Sequence, residues 1–476
     1  MATVLLQEAS VERHIAMFTF PFASHPSTLL ALTRRLAAAA VGSGPSSTVF
    51  SFFSTERSNS ALFRADSSLA SLNIRPFNVH DGLPEGYVPR SDPKRMWLQA
   101  EPMHLFIRAA PANLRRAAAE AEDAVGCRIS CVVSDAFLWV AGSLAEERGV
   151  PWVAVRTGGP RSLVVHFQIQ MIPSTIRHLA TIGSEDPEVL DFIPGFSSTE
   201  CRDLPDGNGS ILHSMAQNLH RATAIVVNSF EEADPVITQQ LHSKFQNYLS
   251  VGPFGLLPQA TSSPNKYFSH DPNGCIPWLE CHEPNSVVYI SFGTIVKPKT
   301  SELMALMESL AETGHPFLWS FYGDLAEELS IISGGNLAVM EKALVRGKMV
   351  RWAPQLSVLR HPSVGVFVTH CGWNSLLESI AGGVPMIGRP FFADQPLNQT
   401  TMEDEWKIGL GVEGGVFTKQ GTVRALEMVL SREEGKKMRL RVGALNDALV
   451  KSMEPDGSSS QNFNKLMMEI FNSKKL

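Results

Sequence analysis

The chain has 476 residues, of which 44% are hydrophobic and 18% charged, the balance of a folded globular protein rather than of a disordered or fibrous one. A single hydrophobic core rarely grows to this length, so two domains are expected. The net charge of −6 is spread along the chain without a basic stripe, which argues against nucleic acid and anionic membrane surfaces as partners.

The cysteines and the N-terminal stretch indicate a compartment. The six cysteines form no CxxC pair and have no histidine at zinc spacing, so we expect buried thiols rather than disulfides or metal ligands. The start, MATVLLQEASVER, has acidic residues and only a brief apolar run, so it lacks the charged start and the long apolar stretch of a signal peptide. No stretch has the apolar length of a membrane span. We therefore expect a cytoplasmic protein without a membrane span.

Short apolar runs alternate with helical patterns along the chain. Runs without polar alternation predict strands covered on both faces, and helices between them predict parallel crossovers. Four runs come first, at 14–20, 47–53, 129–134 and 224–229, and five follow at 286–292, 316–321, 348–352, 364–369 and 384–388. The expected fold class is α/β, with two Rossmann-like parallel-sheet domains that face a cleft.

A segment rich in Pro, Gly, Ser and Asn separates the two sets of strands. We place an N-terminal domain at 1–252, a linker at 253–276, a C-terminal domain at 277–455 and a final helix at 456–476, which can pack back on the N-terminal domain. In open α/β sheets ligands bind beyond the carboxyl ends of the strands. Polar residues at strand ends are therefore the candidates for function.

Two such residues follow strands of the first set. His25 lies in the loop after the first strand, just before a helix, where a neutral imidazole can take a proton from a substrate hydroxyl. Asp135 ends another apolar run, where a carboxylate needs a partner, and a histidine N–H is a suitable one. Together they form a candidate base and the group that orients it. A lone loop histidine is more commonly an ordinary surface residue, and the sequence leaves that alternative open.

Two strands of the second set also end in candidate residues. The stretch SFGT ends in a Gly-Thr loop with Thr294, which suits a phosphate. The stretch RWAPQ closes another strand with Trp352, whose indole can stack on a flat base. Taken alone, a tryptophan at this place is more commonly part of a core.

The stretch VGVFVTHCGWNSLLESIAGG reads as a strand, a tight glycine turn and a helix. His370 lies at the strand end, and Asn374 and Ser375 lie in the first helical turn, whose unpaired N–H groups and positive dipole end can hold a phosphate. Glu378 lies one turn further on the same face and can accept hydrogen bonds from two neighbouring hydroxyls, as on a ribose. The combination predicts a nucleotide site, with simple helix caps and a solvated Glu378 as the alternative.

Two further motifs follow. The carboxylate of Asp394 can accept hydrogen bonds from the hydroxyls of a sugar, and the amide of Gln395 can both donate to them and accept from them. Alternatively, the two residues are only a helix N-cap and its neighbour. GLGVEG at 409–414 fits the GxGxxG pattern of dinucleotide-binding proteins, but no clear strand precedes it and no helix begins after it. We therefore take the match as chance, which weakens the hypothesis of a dehydrogenase. No acidic cluster has metal spacing, and no metal is expected.

Residues 352–395 resemble the signature box of plant family 1 UDP-glycosyltransferases, with its ordered Trp, Gln, HCGWNS, Glu and terminal Asp-Gln. FPFASH, DGLPEGY, SDAFLW and IVVNSFEE resemble the flavonoid 3-O-glucosyltransferase branch. The resemblance implies a GT-B fold and inverting transfer of glucose from UDP-glucose to a flavonoid hydroxyl, such as the 3-hydroxyl of a flavonol or anthocyanidin. It implies no metal or other cofactor, and we expect a monomer whose partners are the UDP-sugar and a phenolic acceptor.

The resemblance also implies the roles of individual residues. His25 and Asp135 are the catalytic pair, and His25 and His166 contact the acceptor. The donor contacts are Trp352, Ala353, Gln355 and Glu378 at the base and ribose, His370, Asn374, Ser375 and Thr294 at the diphosphate, and Thr157, Trp373, Asp394 and Gln395 around the sugar. Gln395 at the end of the box favours glucose over galactose.

Two positions depart from the usual pattern of the family. Arg156 replaces a residue that is commonly aromatic, and Ala23 replaces a hydroxyl residue or glycine. The alternative functions are a C-glucosyltransferase, an O-glucosyltransferase of another phenolic or terpenoid acceptor and, from another class, a non-catalytic UDP-sugar or flavonoid binding protein. The presence of both His25 and Asp135 speaks against the binding protein.

Overall fold

The structure is a computed structural model that describes residues 11–42, 48–64, 66, 68–87, 101–168, 190, 193–200, 203, 211–256, 271–321 and 337–471. Across these ranges the strands form two parallel sheets. The first contains β1 Arg13–Phe18, β2 Thr48–Ser54, β3 Ile74–Asn78, β4 Cys131–Asp135, β5 Trp152–Arg156, β6 Ala224–Val227 and β7 Tyr248–Ser250. The second contains β8 Val287–Ser291, β9 Phe317–Ser320, β10 Gly347–Val350, β11 Val364–Thr369, β12 Met386–Gly388 and β13 Gly409–Gly411.

The strand orders are β3-β2-β1-β4-β5-β6-β7 and β10-β9-β8-β11-β12-β13. All neighbouring strands pair in parallel. The order reverses direction between β1 and β4 in the first sheet and between β8 and β11 in the second. The α/β prediction of two parallel-sheet domains is therefore confirmed.

The helices lie between the strands, as parallel crossovers require. In the first part of the chain they are α1 His25–Gly42, α2 Glu56–Phe63, α3 Ser68–Ser71, α4 Glu101–Val125, α5 Val140–Arg148, α6 Pro160–Gln168, α7 Ile211–Asn218 and α8 Pro235–Lys244. They continue with α9 Cys275–Leu279, α10 Thr300–Thr313, α11 Leu337–Leu344, α12 Gln355–Leu359, α13 Trp373–Gly382, α14 Gln395–Thr400, α15 Lys419–Ser431, α16 Glu433–Ser452 and α17 Ser458–Phe471.

Both faces of each sheet are buried. In β1, Ile15 and Met17 face one hydrophobic layer and Ala16 and Phe18 face the other, as the alternation of strand side chains requires. The second sheet lies between two similar layers. The last helix, α17, packs on the first sheet, so the chain returns to its first lobe after completing the second.

Three of the five cysteines in the described ranges are buried, and none of the five forms a disulfide. The expectation of buried thiols is wrong for Cys281, which is exposed because it lies in the turn after α9, and Cys127 is only half-buried. None of the helices that the structure describes combines the length and the apolar character needed to cross a membrane.

Candidate active site

A cavity of about 530 Å³ lies between the two sheets. The carboxyl ends of β1, β8 and β11, which are the strands at the two order reversals, supply its walls, where open α/β sheets bind ligands. Most of the residues predicted for the donor line it: Thr294, Trp352, Ala353, Gln355, His370, Trp373, Asn374, Ser375, Glu378 and Gln395.

One end of the cavity combines a flat aromatic surface with a carboxylate. Trp352 follows the end of β10 and is 48% exposed, which is unusual for a tryptophan. Gln355 Oε1 accepts a hydrogen bond from the Tyr289 hydroxyl at 3.0 Å, and its Nε2 donates to Glu378 Oε2 at 2.6 Å. Burial raises the pKa of Glu378, and the Gln355 bond opposes that shift. The carboxylate has room for further donors, as adjacent ribose hydroxyls would supply.

The turn between β11 and α13 forms the adjoining wall. Gly372 occupies the N-cap position of α13 and makes no side-chain cap bond, so the first-turn N–H groups are available to an anion. A Cβ on Gly372 would lie 2.5 Å from His370 Nε2, and one on Gly293 would lie 3.0 Å from it, so both glycines are needed for the ring to fit. Burial lowers the pKa of His370 to about 4, against a smaller opposing effect of the Ser291 backbone. His370 is therefore neutral at pH 7.

Asn374 joins the two lobes at this wall. Its Nδ2 donates to Ser24 Oγ at 3.1 Å and to Thr28 Oγ1 at 2.9 Å, and its Oδ1 accepts from Asn228 Nδ2 at 3.0 Å. The Asn228 carbonyl accepts from Trp373 Nε1 at 2.7 Å. The residue predicted at the diphosphate is thus held by hydrogen bonds that cross the cleft.

His25 and Asp135 lie together at the carboxyl ends of β1 and β4. His25 Nδ1 is 2.6 Å from Asp135 Oδ2 and 3.0 Å from Thr157 Oγ1. Asp135 is fully buried, and its Oδ1 accepts from the Phe137 N–H at 2.9 Å. A buried carboxylate at Nδ1 favours the tautomer with the proton on Nδ1, which leaves the Nε2 lone pair free to accept a proton. The His25 side chain is 18% exposed, whereas that of Asp135 is fully buried.

Five of the predicted residues are not among those that line the cavity: the pair His25 and Asp135, and Thr157, His166 and Asp394. Thr157 contacts His25 instead. His166 is buried within α6, and burial, aided by the Arg156 charge, lowers its pKa to about 3. Its contact with an acceptor stays a prediction. Asp394 precedes α14 without capping it, and its Oδ2 lies beside Gly158.

Gln395 and the GxGxxG match also have definite places. Gln395 Oε1 accepts from the Phe391 and Phe392 N–H groups at 2.8 and 3.3 Å, which fixes its amide at the cavity wall. The first three residues of GLGVEG form β13, and the match does not line the cavity. In the described ranges no group of three or more His, Cys, Asp or Glu is placed to hold a metal.

Comparisons with known proteins agree with this geometry. The family model for UDP-glucoronosyl and UDP-glucosyl transferase matches residues 106–454. An anthocyanidin 3-O-galactosyltransferase of Actinidia chinensis var. chinensis is 43% identical, over 98% of this chain and 99% of its own length. The chain belongs to the UDP-glucoronosyl and UDP-glucosyl transferase family. As a member it is a glycosyltransferase, and its co-substrate is a UDP-sugar.

Two further relatives of this glycosyltransferase cover nearly the whole chain. An anthocyanidin 3-O-glucosyltransferase of Vitis vinifera is 42% identical, over 96% of this chain and 97% of its own. A crystal structure of a UDP-glucose: anthocyanidin 3-O-glucosyltransferase in complex with UDP matches with a TM-score of 0.84 at 37% identity, over 98% of this chain and 100% of that one. The predictions of a GT-B fold and of a glycosyltransferase are confirmed. Galactosyl- and glucosyltransferases are similar to the chain to the same degree, so identity does not separate the two sugars.

Among the cavity-lining residues that sequence reasoning missed, three bond to Asn374. Ser24, Thr28 and Asn228 all line the cavity and bond to Asn374. Asn228 directly follows the buried strand β6, and a polar residue at a strand end could have identified it as a candidate from the sequence. Ser24 and Thr28 precede and follow His25, but nothing in the sequence shows that they face α13.

Proposed function

We propose that this glycosyltransferase transfers a hexosyl group from a UDP-sugar to the 3-hydroxyl of a flavonoid such as a flavonol or anthocyanidin. The sequence predicts UDP-glucose as donor through Gln395. The observation that carries the proposal is the 2.6 Å contact of His25 with buried Asp135, next to Ser24 of the first lobe, which lines the same cavity as Trp352 and Glu378. The names of the relatives, which act on anthocyanidins or flavonols at the 3-position, support this acceptor class.

In this proposal His25 is the general base. Its Nε2 takes the proton of the acceptor hydroxyl while Nδ1–H donates to Asp135, whose negative charge stabilises the imidazolium that forms. The acceptor oxygen attacks the anomeric carbon, and the bond from that carbon to the diphosphate oxygen breaks with its electron pair leaving on UDP. Attack opposite the leaving group inverts the anomeric centre.

The nucleotide is held by residues of the second lobe. Trp352 stacks on uracil beside Ala353, while Gln355 and Glu378 bind the ribose. The first-turn N–H groups of α13, with Ser375, Asn374, Thr294 and neutral His370, stabilise the charge on departing UDP, so that no metal ion is required. Asp394, Gln395, Trp373 and Thr157 surround the hexose. Residues 1–252 then form the acceptor domain and 277–455 the donor domain.

The decisive test is the pair of variants His25→Ala and Asp135→Asn. We expect kcat for flavonol glucosylation, measured by mass spectrometry of the product, to fall by about 10²–10⁴-fold in His25→Ala. Asp135→Asn should fall in the same range because the amide cannot stabilise the imidazolium. Calorimetric affinity for UDP should stay close to wild type in both, and exposed His220→Ala is the matched control.

Each alternative has its own signature in these experiments. Wild-type turnover in His25→Ala with intact acceptor binding would reject the base assignment. A binding protein would show UDP affinity without any product, and a C-linked product would resist the fragmentation that releases the sugar from an O-glycoside. Loss of turnover in excess EDTA would reject the metal-independent mechanism.

A further inference from the structure

A tyrosine hydroxyl lies beside the residues proposed to bind the ribose. Tyr289 belongs to β8 and is only 1% exposed, yet it is among the residues that line the cavity. Its ring stacks on that of Phe367, its register partner in β11, with the ring centroids 5.0 Å apart. Burial raises the pKa of the Tyr289 hydroxyl well above its usual value. The hydroxyl therefore keeps its proton and can act as a hydrogen-bond donor.

The hydroxyl begins a chain of hydrogen bonds that ends at Glu378. Tyr289 donates to Gln355 Oε1 at 3.0 Å. Gln355 Nε2 in turn donates to Glu378 Oε2 at 2.6 Å and to Ser375 Oγ at 3.2 Å. The amide nitrogen thus has an acceptor for each of its two N–H groups. Both N–H groups of Gln355 are therefore engaged with the protein and not with the nucleotide.

The orientation of the Gln355 amide follows from the character of its partners. A half-turn of a glutamine amide exchanges its oxygen and nitrogen, so the partners must distinguish the two ends. An ionised Glu378 only accepts hydrogen bonds, which requires Nε2 on its side, and the Tyr289 hydroxyl donates to Oε1 on the other side. The Ser375 hydroxyl can donate or accept, so it tolerates either orientation. Tyr289 and Glu378 together hold the amide in one orientation.

The fixed amide favours the ionised form of Glu378. Burial raises the pKa of Glu378, and the Gln355 N–H opposes that shift. An ionised carboxylate can accept hydrogen bonds from two neighbouring hydroxyls, whereas a protonated carboxyl has a proton of its own to donate and accepts less well. If the Tyr289 hydroxyl is removed, Oε1 loses its 3.0 Å donor and the amide that supports Glu378 is held at one end less firmly.

We propose that Tyr289 is a positioning residue for the nucleotide, which acts through Gln355 to hold Glu378 as the acceptor of both ribose hydroxyls. It thereby increases the preference of the enzyme for a ribonucleotide over a deoxyribonucleotide. This inference rests on the proposed function, in which Gln355 and Glu378 bind the ribose. The role is indirect, because the Tyr289 hydroxyl donates to the amide and needs no contact with the nucleotide.

The test is calorimetry with UDP and 2′-deoxy-UDP on the wild-type enzyme and on Tyr289→Phe. Phenylalanine keeps the ring that stacks on Phe367 and removes only the hydroxyl. We expect the Kd for UDP to rise about fivefold, the effect of one neutral hydrogen bond, and the Kd for 2′-deoxy-UDP to rise by less than about twofold. The smaller rise follows because 2′-deoxy-UDP has one hydroxyl fewer for Glu378 to bind.

Tyr248→Phe is the matched control. Tyr248 is equally buried, lies in β7 of the first lobe and has its hydroxyl bonded to Ser250. Its variant should alter neither Kd. In steady-state kinetics with one flavonol, Tyr289→Phe should raise the KM for UDP-glucose about fivefold and change kcat by less than about twofold, because the hydroxyl acts on binding of the nucleotide and not on the reacting atoms.

A double variant tests whether Tyr289 acts through Gln355. Gln355→Met removes the amide, and it should by itself lower the preference for UDP over 2′-deoxy-UDP at least as much as Tyr289→Phe. Adding Tyr289→Phe to Gln355→Met should then change the Kd for UDP by less than about twofold, because the residue that transmits the effect is already absent.

Three results would overturn the inference. They are an unchanged or equally raised Kd for the two nucleotides in Tyr289→Phe, a wild-type enzyme that does not prefer UDP to 2′-deoxy-UDP, and independent effects of the two substitutions in the double variant. Thermal unfolding shows whether each variant is folded. If no flavonoid receives a sugar, the proposed acceptor class fails, and the comparison of the two nucleotides, which needs no acceptor, still decides the role of Tyr289.

Discussion

At the scale of single residues, burial decides the charge of the groups around the cavity. It holds His370 neutral at pH 7 and raises the pKa of Glu378, each in a place where a ligand group would complete the hydrogen bonding. Such residues weaken the empty protein and gain their partners when substrate binds. Substitution of such a residue should therefore raise the stability of the protein while it lowers the affinity for substrate.

Glu378→Gln is the substitution that tests this expectation. We expect the KM for the UDP-sugar to rise about tenfold because a charged acceptor for the ribose is lost. The thermal stability of the variant at pH 7 should instead exceed that of the wild type. Because folding raises the pKa of Glu378, the stability that its carboxyl contributes is fully present below the unfolded pKa of about 4.5 and is lost as the pH rises through the folded pKa. Glutamine does not titrate and avoids this loss.

The stability difference between Glu378→Gln and wild type should therefore grow from pH 4 to pH 7, as followed by thermal unfolding across that range. A difference that is constant with pH would show that Glu378 is not the titrating group. An exposed carboxylate of the same type, at Glu433, provides the control, because Glu433→Gln should alter neither KM nor the pH profile.

How far the sequence predicts single residues depends on how local their partners are. Trp352, Gln355 and Glu378 fall within one continuous stretch, so their common site was predictable from order and spacing. The bonds of Asn374 to Ser24 and Asn228 join residues from distant strand ends, which only the folded chain brings together. The burial of Arg156 was likewise not predictable, because arginine at a strand end is normally at the surface.

At the scale of elements, two loops with the same backbone form carry residues to the cleft. Ala23 after β1 has φ of 52°, and Ala393 after β12 has φ of 57°. A helix begins two residues later in each case, at His25 in one lobe and at Gln395 in the other, and a proline follows. In each loop the left-handed residue turns the chain into the helix that begins with His25 or Gln395.

Ala23→Val and Ala393→Val form a matched pair of loop variants. A β-branched residue in the left-handed region should cost about 1–2 kcal/mol in either loop. We expect Ala23→Val to lower kcat because His25 shifts, and Ala393→Val to raise the KM for the UDP-sugar because Gln395 shifts. Steady-state kinetics measures both values.

Ala23→Gly is the control for strain alone, since glycine accepts the same backbone form and should keep the wild-type kcat. Equal effects of the two valine variants on kcat and KM would contradict the assignment of one loop to the acceptor and the other to the donor.

The strands show the same limit of prediction at this scale. The nine long apolar runs were all predicted and are all present, but β3, β5, β7 and β13 were not. β3 has exposed residues and Pro76 at the sheet edge, β7 has three residues, and β13 consists of Gly-Leu-Gly. The pairing of these three depends on a neighbouring strand more than on their own composition, whereas β5 is a buried apolar strand that the sequence prediction overlooked.

At the scale of the whole molecule, α17 joins the end of the described chain to the first lobe. Phe463, Leu466 and Ile470 are buried in the layer that also holds Ile15 and Met17 of β1. Arg35 of α1 lies over the Phe463 ring, 3.6 Å from its centroid. The final helix is therefore part of the core of the lobe that carries His25.

Leu466→Ala should destabilise this lobe by about 2–5 kcal/mol, because it leaves a cavity under a fully buried leucine. Met468→Ala is the matched control on the same helix, since Met468 is 53% exposed and its loss should cost less than about 0.5 kcal/mol. Urea unfolding followed by circular dichroism measures both. Equal loss of stability in the two variants would mean that α17 is not packed as described.

The lobes are also bound to each other directly. Arg161 Nε donates to Asp234 in the first lobe at 2.6 Å, and its Nη2 lies 3.3 Å from Glu405 in the second. Trp406 Nε1 donates to the Ala233 carbonyl at 2.8 Å. Neither link was predicted from the sequence, because each joins residues more than 150 positions apart.

The course of the chain adds a mechanical consequence to these contacts. The chain leaves the first lobe after β7 and returns to it at α17, which follows α16 of the second lobe after only a short stretch, 453–457. Two lobes that the chain connects twice, and that Arg161 and Trp406 also join, are held together more firmly than lobes joined by one linker. In the proposed mechanism this restraint keeps the His25 imidazole of one lobe at a constant distance from the UDP-sugar bound by the other.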